Sequence, residues 1–434
     1  MPKPQKIIGL INRYSDSGHH ESWLAIYVQL LLKNNYQVVV VTPNVDDFEA
    51  NLTRIGIDPD YSRLTIVKNN LILKKEILHE ILRPIKKLVK KCIAFSRLDK
   101  KHGPKSKGEI VHSDQSINSG FVDKKYVDQI VATVWRKSNI KLDFIFFMYL
   151  DDFSIKSYDW NYPLYSNRVL WGGLRFAPFK NILNVGKEGY LHDENFFGMC
   201  FLDQNSCHQY QLKISDKQFS CLPDVTNTSL PPNESLESIN IRNLVNGRKM
   251  ILLCGSIESR KNVKLFCESA QLFDEREYFF LIAGKVEYQT FSDEELIALK
   301  NFQTCSKGNT LLIDTRFKDE SHLNELIELS SVIFAVYKDF NQSSNMLAKS
   351  AYFRRPILVA QDSLMGEVVE GSKIGRTVNG SSLDVLVEAL HGLDESPVDF
   401  HYFDEYQKNS SFELLERQLI SFLQKARVQN DCIT

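Results

Sequence analysis

Two pairs of side chains stand where chemistry can be done. His19 and His20 follow Gly18 after the first apolar run, and Asp151 and Asp152 close the apolar run 143–150 (DFIFFMYL). An imidazole or carboxylate at the end of a buried strand can hydrogen-bond a hydroxyl or take its proton. These four residues are therefore the candidates for a general base or an acceptor contact. Asp151 and Asp152 equally fit an ordinary solvated turn. Other chemistries are disfavoured. The eight cysteines form no C-x-x-C pair, which argues against zinc and against a disulfide framework, and suits a reducing cytosol. No G-x-G-x-x-G follows the first strand, so an NAD-dependent enzyme is disfavoured.

The elements that would position these residues alternate in type. Residues 6–12 (KIIGLIN) read as a strand, 21–34 as a helix with Trp23, Leu24, Tyr27, Leu30 and Leu31 on one face, and 36–42 (YQVVVVT) as a fully apolar strand. Such a strand suits a parallel sheet covered on both faces. A helix near 124–136 and the strand 143–150 continue the pattern, Trp171-Gly172-Gly173 predicts a tight turn, and 198–202 reads as a strand. Residues 222–247 are rich in Pro, Asn and Ser and form the candidate linker. Strands at 249–254, 278–283, 310–313, 332–337 and 356–360, helices near 263–273 and 345–353, and an amphipathic helix at 411–424 follow. With 434 residues and about 150 per domain, the expectation is α/β: two doubly wound Rossmann-like domains facing an interdomain cleft. Residues 1–228 and 229–400 would be the domains, 401–434 a helical tail. Ligands of such sheets bind at the carboxyl ends of the strands.

Charge is local. The formal net charge is −1, which gives no polyanion-binding signature and disfavours nucleic acid as a partner. Yet residues 83–107 hold ten Lys or Arg and one acid, inside a basic insertion near 74–108. Arg83, Lys86, Lys87, Lys90 and Lys91 alternate with Ile85, Leu88, Val89 and Ile93. This is either a basic amphipathic helix for an anionic membrane surface or a solvated basic loop. No secretory signal or membrane-spanning run is evident, so the expected location is cytoplasmic, with a peripheral contact on the inner membrane face through residues 83–91.

The second half resembles the donor-binding domain of family 4 of the GT-B glycosyltransferases. Residues 365–375 (MGEVVEGSKIG) are similar to the family's I-P-E-V-V-x-D-G-x-x-G, and 355–360 (RPILVA) to its K-P-V-V-A-T strand. Gly255-Ser256-Ile257 with Lys261-Asn262 resembles G-R-L-x-x-x-K-G, Ile282-Ala283-Gly284 a strand end of the type hydrophobic-G-x-G, and 222–225 (LPDV) the P-N-G-V-D entry to the linker. In the first half, Ser17-Gly18 before a long helix and YQVVVVTP resembles the family's Gly-rich loop and first βαβ unit.

The resemblance implies a transferase that moves a sugar from a UDP- or GDP-sugar to a glycan or lipid-linked acceptor, retaining, without a metal and with no cofactor beyond the nucleotide sugar. Catalysis would then stabilise a leaving diphosphate with backbone amides and a cation. Lys261 occupies the family's lysine position and contacts the diphosphate, or else is a solvated lysine at a helix start. Arg260 stands in for the family arginine, replaced here by Ser256. Gly18, Gly255 and Gly284 would let backbone approach the donor, although Gly18 also fits a plain turn. Counting back from Pro356, the family's two glutamates fall on Asn341 and Lys349. Asn341 can still hydrogen-bond a sugar, whereas Lys349 has no acceptor for a ribose diol. Ser343, Ser344 and Asn345 present backbone amides to the nucleotide, or else Asn345 or Ser344 is only an N-cap. Glu367 matches the family glutamate or is a first-turn acid favoured by the helix dipole. The replaced carboxylates leave a second reading, a non-catalytic partner of an active transferase or a glycan binder. A nucleotide-sugar epimerase of the same fold is a third, less attractive one.

Overall fold

The computed structural model describes residues 6–14, 19–70, 122–160, 169–177, 185–305, 307–317 and 320–433. Gly18 and the basic insertion, with residues 83–91, lie outside them. The first unit contains β1 (Ile7–Ile11), α1 (His19–Lys33), β2 (Gln37–Thr42), α2 (Val45–Arg54), β3 (Leu64–Lys68), α3 (Lys124–Ser138), β4 (Phe144–Phe147), β5 (Leu170–Arg175), β6 (Phe196–Phe201), α4 (Gln204–Lys213) and β7 (Gln218–Cys221). Its seven strands run in the order β3-β2-β1-β4-β5-β6-β7, and every pairing is parallel.

Apolar side chains alternate between the two faces of this sheet. Val38, Val40, Phe144 and Phe146 enter one core with Trp23, Tyr27 and Leu31 of α1. Val39, Val41, Ile145 and Phe147 enter the other with Tyr126, Ile130 and Val134 of α3. A strand covered on both faces has no room for polar positions, which is why these runs are unbroken. The turn expected at Trp171-Gly172-Gly173 is instead the middle of β5. A Cβ on Gly172 would lie 2.3 Å from the Gly198 carbonyl oxygen, and one on Gly173 2.3 Å from that of Phe147. The glycines serve close strand approach beside a register shift between β5 and β6.

The second unit contains α5 (Leu236–Val245), β8 (Lys249–Cys254), α6 (Val263–Ser269), β9 (Tyr278–Ala283), α7 (Asp293–Gln303), β10 (Thr310–Ile313), α8 (Glu320–Leu329), β11 (Val332–Ala335), α9 (Met346–Tyr352), β12 (Ile357–Ala360), α10 (Leu364–Ser372), β13 (Gly375–Val378) and α11 (Leu383–Glu395). Its six strands follow the order β10-β9-β8-β11-β12-β13, again parallel throughout. The stretch 222–247 divides in two. Its first part, 222–234, carries no helix or strand, and its second is α5, capped by Ser235. Only Ser238 and Ile241 of α5 are buried, while Leu236 is 79% exposed. A helix so loosely seated lacks the apolar stripe that reveals one in sequence.

Two last helices, α12 (Phe400–Asn409) and α13 (Phe412–Ile433), close the molecule on different cores. Phe403 of α12 packs in the second unit, where Gln407 Nε2 donates to the Ala351 carbonyl at 2.9 Å. Leu415, Leu419, Phe422, Leu423 and Ala426 of α13 lie in the first. The Phe422 ring is 5.1 Å from Phe197 and 6.2 Å from Phe144. Glu416 accepts from Lys33 Nζ and Asn34 Nδ2, each at 2.7 Å. No helix among the described residues is long and apolar enough to cross a membrane. Phe422→Ala should destabilise the first unit by about 3–5 kcal/mol, read as a lower urea midpoint; an unchanged midpoint would mean that α13 contributes little to that core.

Candidate functional site

On the second unit the site begins where β8 and β9 end side by side. Gly255 has φ +94 and Gly284 φ +147, and a Cβ on Gly284 would lie 1.8 Å from the Gly255 carbonyl oxygen. The pair is therefore glycine because the strand ends touch, before any ligand is considered. A Cβ on Gly255 would lie 2.9 Å from Lys261 Nζ. Beyond Gly255 the exposed Ser256 donates to Glu258 Oε1 at 3.2 Å. A single 3-10 turn, Ser259–Lys261, then leads into α6.

The two cations of that turn differ in environment. Arg260 is half-exposed, paired with Glu258 at 3.0 Å, and its guanidinium lies 5.0 Å from the Phe340 ring centre and 5.6 Å from that of Tyr337. Lys261 is 5% exposed, so it is not a solvated lysine. Its ammonium donates to the Cys254 carbonyl and lies 5.3 Å from the centre of the Tyr337 ring. Burial lowers its pKa to about 8. Tyr337 is buried beneath both cations and hydrogen-bonds Ser344.

The remaining second-unit candidates fall around α9 and α10. Asn341 sits half-buried in the loop between β11 and α9. Ser344 Oγ accepts from the Met346 amide at 3.4 Å. Asn345 is the N-cap residue of α9 but makes no side-chain cap bond; its Nδ2 reaches Glu320 Oε1 at 3.5 Å. Glu367 is exposed in the first turn of α10, whose cap is Ser363. Lys349 departs from a donor contact. It has no exposed surface, and its ammonium donates to the Asn227 carbonyl at 2.8 Å and to Asn324 Oδ1, and pairs with Glu320 at 3.0 Å. Internal partners occupy it.

On the first unit, the ends of β1, β4 and β5 carry an aromatic cluster. Tyr14 and His20 stack at 5.0 Å, and Tyr149 meets both edge-on at 4.9 and 4.8 Å. Phe176 stacks on Tyr149 at 4.9 Å and touches Trp23 at 5.4 Å. His20 Nδ1 and the Tyr149 hydroxyl are hydrogen-bonded. Tyr14, His20, Tyr149 and Phe176 are all partly exposed. The two aspartates do separate work. Asp152 accepts from Arg13 at 2.6 Å and from the Tyr14 hydroxyl. Asp151 accepts the backbone amides of Phe176 at 3.0 Å and Ala177 at 2.7 Å. Burial raises its pKa, against Arg175 and those two amides. Asp151 thus holds the loop that carries Phe176. The backbone of His19 opens α1, and its side chain is outside what is described.

The two units meet across these strand ends. Ser22 Oγ of α1 donates to Glu320 Oε2 at 3.4 Å, and Ser343 Oγ donates to Asp224, a buried linker carboxylate whose pKa burial raises to about 6. Asn324 Nδ2 ties the linker to α8 through the carbonyls of Asn227 (3.1 Å) and Ser229 (2.9 Å). Sequence reasoning passed over Tyr14, Tyr149 and Phe176, although each lies just after an apolar strand. It also passed over Glu320, which no motif marks.

No protein-family model matches the chain, and no curated protein sequence matches it. Solved structures share its fold over nearly the whole length. A glycosyltransferase from Rickettsia africae ESF-5 is 11% identical with a TM-score of 0.59, covering 97% of this chain and 98% of that one. Anabaena HepE in complex with UDP and glucose is 9% identical with a TM-score of 0.60, covering 97% and 100%. Sucrose-phosphate synthase from Thermosynechococcus elongatus is 13% identical with a TM-score of 0.59, covering 98% and 100%. The fold is thus the GT-B arrangement of two Rossmann-like domains. Because Lys349 neutralises Glu320 without access to water, Lys349→Ala should cost about 3–5 kcal/mol of stability. Chemical denaturation measures this, and a loss below 1 kcal/mol would contradict the internal pairing.

Proposed function

We propose that the protein transfers a sugar from a UDP- or GDP-sugar to a hydroxyl of a glycan or glycoconjugate, retaining the anomeric configuration and using no metal. The observation that carries this reading is the pair of cations, Arg260 and Lys261, gathered over Tyr337 at the glycine-tipped ends of β8 and β9. In the transfer the bond from the anomeric carbon to the diphosphate oxygen breaks, and the acceptor oxygen bonds to that carbon. Negative charge gathers on the departing diphosphate, which is where preorganised positive charge lowers the barrier. Arg260 keeps contact with solvent at the strand end, and Lys261 adds a charge whose environment is already desolvated. The departing diphosphate oxygen takes the acceptor's proton, so retention asks for no strong protein base. Asn341 is the proposed contact to a donor sugar hydroxyl.

The aromatic cluster of the first domain supports a carbohydrate acceptor. Apolar ring faces with a few polar groups at the edge suit a sugar, which is itself apolar on its faces and polar at its rim. In this reading His20 and Asp152 meet acceptor hydroxyls, and Asp151 keeps the Phe176 loop in place. HepE, of the same fold, is described with UDP and glucose bound, which supports a nucleotide-sugar donor here. The burial of Lys349 where the family resemblance expects a carboxylate favours a second reading, a non-catalytic partner of an active transferase; turnover by the purified chain alone would refute it.

A thermal-shift screen with UDP, GDP and ADP and their sugar conjugates tests the donor site. Ligand at about 100 times its Kd adds roughly 2.7 kcal/mol of apparent stability. A rise in Tm with one nucleotide is the expected result, and no rise with any of them would remove the reading. Lys261→Met should weaken that nucleotide roughly 10- to 100-fold while the fold is kept; unaltered affinity would sink the assignment. The pH dependence has a definite sign. Lys261 has a pKa lowered to about 8, and only its ammonium attracts a diphosphate. Affinity should therefore be full below pH 8 and fall as pH rises through it, by up to about tenfold per unit for one proton. Affinity independent of pH between 7 and 9 would show that Lys261 does not meet the phosphates.

A further inference from the structure

Between β7 and α5 the chain carries a buried charge that the transfer as described does not use. Leu222 continues the first sheet, its amide donating to the Phe201 carbonyl at 2.8 Å, and the side chains of Leu222 and Val225 lie in the first domain's core. Asp224, between them, is 6% exposed and reaches the other way, to the second domain, where it accepts from Ser343 Oγ. Among the described residues Ser343 is its one hydrogen-bond donor, and no cation pairs with it. The titratable groups that feel its charge are phenols: Tyr27 of α1, Tyr149 after β4 and Tyr406 of α12, all held neutral by burial. Tyr149 also faces Glu21 and Asp151. A carboxylate buried with a single neutral donor is costly, so an uncharged residue would serve folding better at this place.

Ser343 belongs to the loop 338–345, which carries the proposed donor contacts. The loop is tied at its start to the cation turn. There the Lys338 amide donates to the Arg260 carbonyl at 2.7 Å, and its ammonium pairs with Glu295 at 2.8 Å. The Phe340 ring meets Tyr337 edge-on at 5.3 Å. At the loop's end Ser344 bonds Tyr337, and Asn345 is the N-cap residue of α9. Asn341 lies between these ties, two residues before Ser343. We infer that Asp224 is a positioning residue for sugar transfer: anchored in the first domain, it holds the loop 338–345 through Ser343 and so sets Asn341 against the donor sugar. The inference rests on the donor site proposed above. A hydroxyl that donates to an ionised carboxylate is held more tightly than one that donates to a neutral acceptor, which is what the charge adds. Because Leu222 and Val225 fix Asp224 to the first domain, the loop takes its position from both domains.

The test is calorimetric titration of the full chain with UDP-glucose, GDP-mannose and ADP-glucose, each beside its free nucleotide. Asp224→Asn and Ser343→Ala should each weaken the conjugate that binds roughly tenfold, as loss of a hydrogen bond to a charged group does, and the free nucleotide less than about threefold, because Arg260 and Lys261 stay in place. The double variant should lose no more than either single one, and Ser343→Thr, which keeps the hydroxyl, should bind as the wild type does. Stability separates positioning from support. The folded carboxyl keeps its proton up to about pH 6, the unfolded one only to about pH 4. Its ionisation therefore costs folding nothing below about pH 4 and the full amount above about pH 6, so Asp224→Asn should leave Tm at pH 7 unchanged or higher. Wild-type affinity for the conjugate should fall as pH drops through about 6, and Asp224→Asn should lack that limb; the conjugate's diphosphate, esterified at both ends, takes up no proton in this range. A lower Tm with conjugate affinity unchanged would make Asp224 a structural residue and overturn the inference, as would an equal loss for conjugate and free nucleotide. Unchanged binding in both single variants would also overturn it, with the donor site intact. Binding of none of these ligands by the wild type would remove both.

Discussion

A lysine ammonium without exposed surface must be neutralised and hydrogen-bonded where it lies, and the arrangement of the cleft depends on how Lys349 meets that demand. Its three partners come from three places: the linker carbonyl of Asn227, Asn324 within α8, and Glu320 at the start of α8. Satisfying one buried charge therefore fixes the linker against the second domain and sets a carboxylate at the boundary with the first. Asn324 reinforces the same junction by donating to two linker carbonyls. Removing the lysine would leave the Glu320 charge without its counter-ion, take a donor from Asn324 Oδ1 and from the Asn227 carbonyl, and loosen the hinge.

The cation side of the cleft follows a different constraint. Lys261 is buried by the strand end it serves, and the Cys254 carbonyl, the Tyr337 ring and the nearby Glu258 carboxylate offset its desolvation in part. That incomplete compensation is why its pKa falls. An ammonium so poorly solvated gains more from an approaching anion than a surface lysine does, because little water has to be displaced. Arg260, over the Phe340 and Tyr337 rings and paired with Glu258, is prepared differently: its charge stays in contact with solvent.

Across the cleft, the first domain presents rings rather than charges. The Asp151 and Arg13–Asp152 contacts are local to strand ends, yet they set the positions of Phe176 and Tyr14. The helix α13 crosses back from the second domain to complete this domain's core, so the surface bearing the rings rests on residues from both ends of the chain. Motion of one domain against the other has to respect that strap.

By itself the sequence determined the α/β class, the parallel character of both sheets, and the placing of Gly255, Arg260 and Lys261 at a strand end. Unbroken apolar runs such as YQVVVVT and YFFLIA have one economical solution, a sheet covered on both faces. The tertiary structure decided what periodicity does not encode. Gly172 and Gly173 lie inside a strand because neighbouring carbonyls leave no room for a Cβ. Part of the polar stretch after residue 222 is helix α5, which buries too little to show a stripe. The environments of Lys261 and Lys349, and the meeting of Glu320 with Lys349 and of Tyr14 with Tyr149, join residues far apart in the chain. A charge's burial and its partners are properties of packed neighbours, and only the fold brings those neighbours together.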